Sequence, residues 1–209
     1  MVTKPTTNTS GPVPVLCPGG TVVCLASGPS LTSTDVDFVR GKATVLAVND
    51  AWRLAPWADA LIGSDAGWWK HYNGVPEFKG RKFCLEPSVR MFPDVFILKH
   101  TGDRGIDTDP TSVRTGRNSG AAAINLAVHF GAKRIVLLGY DMEARCEARS
   151  HFFGSHPQGL RGNSPYPIFR QMIGTMVEPL QTLGVEVLNC SRHTALSCFP
   201  RVRLEDVFA

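Results

Sequence analysis

The stretch Ser27-Gly28-Pro29-Ser30 breaks off an apolar run, TVVCLA, at residues 21–26. It supplies what a phosphate needs: backbone N–H groups in a glycine-containing turn, with a hydroxyl on either side. Far along the chain, His151 and His156 stand in HFFGSH. An imidazole has the unperturbed pKa to take a proton near neutrality. The pair reads as a general base with an orienting partner, as two metal ligands, or as unrelated surface residues. A zinc site wants three or four ligands, and no third with suitable spacing accompanies them. Small polar and acidic residues also follow other apolar runs: Asn49 after TVLAV, Asp65 after DALIG, Asp141 after RIVLL, and Asn189 with Ser191 around the end of VEVLN. Asp65 or Asp141 can hold a ribose, orient a loop, cap a turn, or hold Mg²⁺ through a phosphate. Ser119-Gly120 opens a helix-like segment; Arg114 and Arg117 flank Gly116 and suit a phosphate or carboxylate. Trp68-Trp69 fits either core packing or the stacking of a ring.

These groups act together only if the elements between them bring the ends of the apolar runs to one side. The runs Thr21–Leu25, Thr44–Val48, Asp59–Gly63, Arg81–Leu85, Val95–Lys99, Arg134–Leu138 and Val185–Asn189 have the length and side-chain types of strands buried on both faces. Helical patterns alternate with them. Leu31–Arg40 carries Ser33, Thr34 and Asp35 as candidate caps, Ala51–Trp57 is a short helix stopped by Pro56, and Ser119 caps a helix from Gly120 to about Phe130. Tyr166–Leu183 reads as one long helix, its apolar residues recurring near every 3.6 positions. The segment from His100 to Arg117 reads as a long loop, a length that in a compact domain is functional or mobile. Strands alternating with helices imply an α/β fold: a Rossmann-like, mostly parallel open sheet with helices on both faces. In such sheets ligands sit beyond the carboxyl ends of the strands, where the polar residues above are placed.

Composition narrows the class. Hydrophobic residues make up 43% and charged residues 19% of the 209 positions, which suits a globular protein with one well-buried core. Residues 1–19, rich in Thr and Pro, are expected to be a flexible tail or an extended arm, with 20–209 forming a single nucleotide-binding domain. A net charge of +4 with no Lys/Arg block makes a nucleic-acid partner an unfavoured expectation. No apolar segment approaches the roughly 18 residues of a membrane span, and the six cysteines form no CxxC pair. A reduced, cytoplasmic setting is the expectation; a homo-oligomer is left open.

Taken in order, ASGPSL, AVND, DALIGSD, NSGAAAINLAVHFGAKRIVLLGYDM, HFFGSH and NCSRHTALSCFP resemble a set of phage and bacterial proteins of "norphogenetic" type. That set is related to the 6-hydroxymethylpterin pyrophosphokinase-like domain and to bacterial sialyltransferases of Campylobacter type. The resemblance covers residues 21 to about 204. Its sialyltransferase side implies a nucleotide-dependent glycosyltransferase with a CMP-type sugar donor and an acceptor hydroxyl. It puts Gly28, Pro29, Ser30 and Asn49 on the nucleotide, aligns Ser119-Gly120 and Asn189 with Ser191, and makes His156 the general base. The tyrosines that steady the departing phosphate in that family fall here on Phe152 and Glu143, neither of which can take over that donation. The pyrophosphokinase side implies ATP with Mg²⁺, Asp65 as a metal ligand, Trp68 as a stacking residue and a pterin-like acceptor. A non-catalytic nucleotide-binding phage protein, in the host cytoplasm, is the third expectation.

Overall fold

The computed structural model describes residues 11–143, 151–154, 160 and 164–209. Its strands are β1 (Thr21–Leu25), β2 (Thr44–Val48), β3 (Ala60–Ile62), β4 (Arg81–Cys84), β5 (Val95–Ile97), β6 (Lys99–His100), β7 (Ser112–Val113), β8 (Arg134–Leu138) and β9 (Glu186–Asn189). Seven of them form one sheet in the order β5-β4-β3-β2-β1-β8-β9, and every pairing in it is parallel. The chain builds outward from β1 on one side, then returns to lay β8 and β9 on the other. The crevice between β1 and β8 is therefore a topological switch point, where open α/β sheets receive ligands.

Side-chain alternation sends each strand's residues into two separate cores. Val22 and Cys24 of β1 join Ile135 and Leu137 of β8 in one; Val23 and Leu25 join Val136 and Leu138 in the other. The first face is covered by α3 (Ser119–His129), α4 (Tyr166–Gly174) and α5 (Val177–Thr182). The second is covered by α1 (Ser33–Val39), α2 (Ala66–His71) and α6 (Leu204–Val207). The α/β class with helices on both faces is as expected. The alanines Ala121, Ala122, Ala123 and Ala127 let α3 approach the sheet closely, and all are fully buried.

Several boundaries differ from expectation. The cap of α1 is Thr32, not Ser33, Thr34 or Asp35: its hydroxyl accepts from Asp35 N–H and donates to the Asp35 carboxylate, so residue and cap satisfy each other. The cap of α3 is Asn118, one residue before Ser119, with Oδ1 accepting from Ala121 N–H at 2.9 Å. The single helix expected over Tyr166–Leu183 is two, α4 and α5, broken at Thr175-Met176. Pro179 has no N–H to return to the Thr175 carbonyl, and the Thr175 hydroxyl donates instead to Met172 O at 2.6 Å. Ala51–Trp57 is shorter and earlier than expected, a 3₁₀ turn over Asn49–Arg53. The long loop carries a two-stranded parallel ladder of β6 and β7. In the amino-terminal stretch, the described residues 11–19 are an arm docked on the body: Val13 is buried and its N–H donates to Pro110 O, while Cys17 N–H donates to Phe130 O.

Candidate functional site

Beyond the carboxyl ends of β1, β2 and β8 lies a cleft of about 590 Å³. Its floor is the meeting of two turns. Ala26 N–H and Gly28 N–H donate to the carbonyls of Leu138 and Gly139, extending the β1–β8 ladder past the sheet. A Cβ on Gly28 would stand 2.3 Å from Asp141 Oδ1 and 2.4 Å from Gly139 O, so only glycine allows the turns to close this far. Asp141 is 1% exposed, and its carboxylate accepts from Ser30 N–H at 2.8 Å and Ser30 Oγ–H at 2.6 Å. The acid after β8 thus holds the loop after β1 in shape, a tie across 111 residues of sequence.

The second wall is the start of α3. Gly116 and Arg117 lie in the left-handed region, φ 52° and 62°, and turn the chain so that Asn118, Ser119 and Gly120 face the cleft. The helix macrodipole favours negative charge at this end by roughly 0.3–1 kcal/mol. Ser119 Oγ donates to Ser64 Oγ at 2.9 Å and accepts from Ser64 N–H, joining the α3 wall to the turn after β3. The exposed Arg117 guanidinium lines the mouth without a hydrogen-bond or ion-pair partner among the described residues. Directly after β2, Asn49 takes φ 47°, and its Oδ1 is buried with no partner among the described residues. An acceptor left in that state costs about 1–3 kcal/mol, which an N–H or O–H of a ligand would recover.

Of the expected site residues, Ser27, Gly28, Pro29, Asn49, Asp65, Ser119, Gly120, Asp141 and His151 all line this cleft. Ser30, Asn189 and Ser191 do not. Ser30 is tied to Asp141. Asn189 is fully buried and braces the last loop through Thr194 and Leu196, while Ser191 Oγ accepts from Tyr140 N–H at 2.9 Å. They act as supports beneath the turns. Asp65 is exposed at the rim, at the cap position of α2 but with no capping hydrogen bond. His156 lies outside the described residues. His151 sits against the β1 turn, Nδ1 3.1 Å from Ser27 Oγ. Arg114 is turned away, donating to Arg104 O. Trp69 is a core residue whose indole N–H donates to Gly63 O; Trp68 lines the cleft.

Further side chains complete the lining, and the first of them was not expected from the sequence. Tyr166, the first residue of α4, lines the cleft. Burial raises its phenol above the usual range; a hydrogen bond with Ser164 opposes the rise and the Asp141 charge adds to it. Glu143 lines the cleft paired with His193 at 2.6 Å. The fully buried Asp50 takes the indole N–H of Trp68 at 2.9 Å and the hydroxyl of Tyr72, fixing Trp68 in the wall. Among the described residues no three His, Cys, Asp or Glu side chains are grouped as a metal site would need, and no helix is long and apolar enough to cross a membrane.

The fold has counterparts of known structure. The chain is similar in fold to a sialyltransferase. The sialyltransferase CstII from Campylobacter jejuni, in complex with the substrate analogue cytidine-5'-monophosphate, matches with a TM-score of 0.53 at 15% identity, over 88% of this chain and 84% of that one. A second structure of CstII, in complex with CMP-3FNeuAc, matches with a TM-score of 0.50 at 14% identity, over 88% and 85%. No protein-family model matches the sequence, and no curated protein does. At such identities the likeness is one of fold.

Proposed function

We propose that this protein binds a nucleotide sugar of the CMP type in the β1–β8 cleft and transfers the sugar to an acceptor hydroxyl. The observation that carries the reading is the cleft itself. At the switch point, the Ser27-Gly28-Pro29 turn and the amino-terminal end of α3 converge on one space, as a nucleoside phosphate requires. The similar fold of CstII, which holds cytidine-5'-monophosphate and CMP-3FNeuAc in its two structures, supports cytidine as the base. The buried, partnerless Oδ1 of Asn49 supplies an acceptor for a donor group of the nucleoside.

In this reading the phosphate rests on the first turn of α3, beside the Gly28 turn, with Arg117 at the mouth. The sequence suggested the turn's own N–H groups for the phosphate, but those of Gly28 and Ser30 are taken by Gly139 O and Asp141. The acceptor hydroxyl gives its proton to His156, its oxygen bonds to the anomeric carbon, and the bond from that carbon to the phosphate oxygen breaks. Tyr166 provides a phenol in the cleft where Phe152 and Glu143 provide no donor to the leaving group.

Thermal unfolding with CMP, UDP, GDP, ATP and their sugar conjugates, with and without Mg²⁺, tests the reading. A ligand at 100 times its Kd stabilises by about 2.7 kcal/mol, on the order of 5–10 °C for a chain of this size. CMP and a CMP-sugar are expected to give the largest shift, without a Mg²⁺ requirement. His156→Ala is expected to keep that shift and lose release of CMP from the CMP-sugar. A shift seen only with ATP and Mg²⁺ would replace this reading with the diphosphotransferase one. Full turnover by His156→Ala would remove His156 from the mechanism.

A further inference from the structure

A second hollow, of about 540 Å³, opens beside the turn after β9 and shares none of the cleft's lining residues. Three guanidiniums and two carboxylates line it: Arg192, Arg201 and Arg203 against Asp35 and Glu205. Backbone pairing puts two of the arginines there. Asn189, buried at the end of β9, forms a parallel bridge with Arg201: Asn189 N–H donates to Pro200 O at 2.8 Å, and Val202 N–H donates to Asn189 O at 3.1 Å. Residues 200–203 therefore run extended along the end of the sheet. Alternation sends Val202 into the second core and leaves Arg201 and Arg203 together on the opposite side. The third arginine is fixed by a fork. Arg192 Nε and Nη2 each donate to the carboxylate of Asp35 at 2.8 Å, and Asp35 is itself buried in the first turn of α1. Arg201 Nη2 in turn donates to Arg192 O, which sets one guanidinium beside the other.

The charges lining this hollow are unevenly matched. Asp35 neutralises Arg192, while Glu205 stands 3.6 Å from Arg203, too far for a hydrogen bond. Arg201 is bound only to a carbonyl and has no carboxylate partner among the described residues. Guanidiniums gathered in one concavity repel each other, and an oxyanion between them relieves that repulsion. We propose that this hollow is a second ligand site, separate from the nucleotide cleft, and that it takes the phosphate of a small phosphorylated molecule on Arg201 and Arg203. A guanidinium presents paired N–H groups that match two phosphate oxygens. The volume is that of a small-molecule pocket, whereas nucleic acid is met by an extended basic stripe or patch. Arg192 is then a positioning residue: its side chain is spent on Asp35, and its carbonyl orients Arg201.

The test is calorimetric titration of inorganic pyrophosphate, without Mg²⁺, into the full chain and its variants. Arg201→Gln and Arg203→Gln are each expected to weaken binding roughly tenfold or more, the value of one charge-assisted hydrogen bond. Arg134→Gln removes the same charge from the exposed start of β8, and should change the affinity less than about twofold. Pyrophosphate should also slow amide exchange across residues 189–206 in wild type, and both variants of the hollow should lose that protection. If Arg201→Gln fails to fold, Arg203→Gln decides, because its side chain meets only Glu205 among the described residues. Absence of pyrophosphate binding would overturn the proposal. So would an equal loss in Arg134→Gln, which would mark attraction to net charge alone. Binding that survives both variants of the hollow and is lost in Arg117→Gln would place pyrophosphate in the cleft and overturn it too. Citrate, an anion of similar charge, should bind at least tenfold more weakly; equal affinity would mean that the hollow does not recognise phosphate.

Discussion

At Gly28 the requirement for glycine is steric and has nothing to do with a left-handed backbone. The space for a Cβ is taken by Asp141 Oδ1 and Gly139 O, and neither can retreat: the first belongs to a carboxylate whose two oxygens are each bound by Ser30, and the second accepts from Gly28 itself. Gly28→Ala is therefore expected to cost at least about 1–3 kcal/mol as an overpacked site, measured by urea unfolding, and to abolish nucleotide-induced stabilisation. Gly67 is the matched control. It sits in α2 with its nearest neighbour for a Cβ, Leu160 Cδ2, at 3.7 Å, so Gly67→Ala should be neutral or stabilising by up to about 1 kcal/mol. Equal losses at the two positions would mean that the turn is not the tight junction described. Such a junction was only half legible in the sequence. That Gly28 and Asp141 each follow a strand could be read from the strands' apolar runs; that one carboxylate fills the space beside the other turn needs the β1–β8 pairing, which sets Thr21 beside Arg134 and Leu25 beside Leu138. Tyr166 and the Glu143–His193 pair were illegible for the same reason, since only tertiary contact brings them to the cleft.

At the scale of elements, β1, β2, β8 and β9 were readable because strands buried on both faces are continuous apolar runs. The ladder of β6 with β7 was not, because its two short strands carry no period and are held by side chains from elsewhere. The holder is Asn125 of α3, fully buried. Its Oδ1 accepts from Asp107 N–H at 2.8 Å and Arg114 N–H at 2.9 Å, and its Nδ2 donates to Asp107 O at 2.9 Å. One side chain thus satisfies three backbone groups of the long loop that leads into Arg117 and Asn118. Asn125→Ala leaves them without partners, an expected loss of at least about 3 kcal/mol at roughly 1–3 kcal/mol for each unsatisfied group. The loop should open before the sheet does. Faster tryptic cleavage after Arg104 or Arg114 and faster amide exchange across 101–117 would record it; an unchanged cleavage rate would place the loop's anchor elsewhere. Nucleotide affinity should fall with it, because the α3 wall of the cleft begins where this loop ends.

Across the whole molecule, proton uptake ties the two cores and the carboxyl-terminal segment into one pH profile. His129, Asp35 and Asp107 are three of the groups whose folded pKa values lie below their ordinary ones. Burial holds His129 down on the α3 side, against its hydrogen bond to Ser112 O. At Asp35 burial works upward, but the hydrogen bonds from Arg192 at 2.8 Å and from Thr32 outweigh it, and its carboxyl lies below the usual range. At Asp107 burial is likewise outweighed, by hydrogen bonds from Thr101, Asp109 N–H and Ser112. For all three the unfolded chain takes protons first as pH falls, so each contributes stability that is present above its ordinary pKa and lost as pH falls through the folded one. The thiols act in the opposite sense: burial pushes Cys24 and Cys190 up to about 12 and Cys84 up to about 11, from 9.0. Their contribution is present below pH 9.0 and lost as pH rises through the folded values. The urea midpoint is therefore expected to be highest between about pH 7 and 9, to decline below about 6.5 as His129 is charged, and to fall more steeply below about 4. His129→Gln should remove the first decline and leave the second; Asp35→Asn should shallow the second and leave the first. A midpoint that rises from pH 7 to pH 5.5 would contradict the neutral, buried state of His129, and with it the way α3 holds the loop beside the cleft.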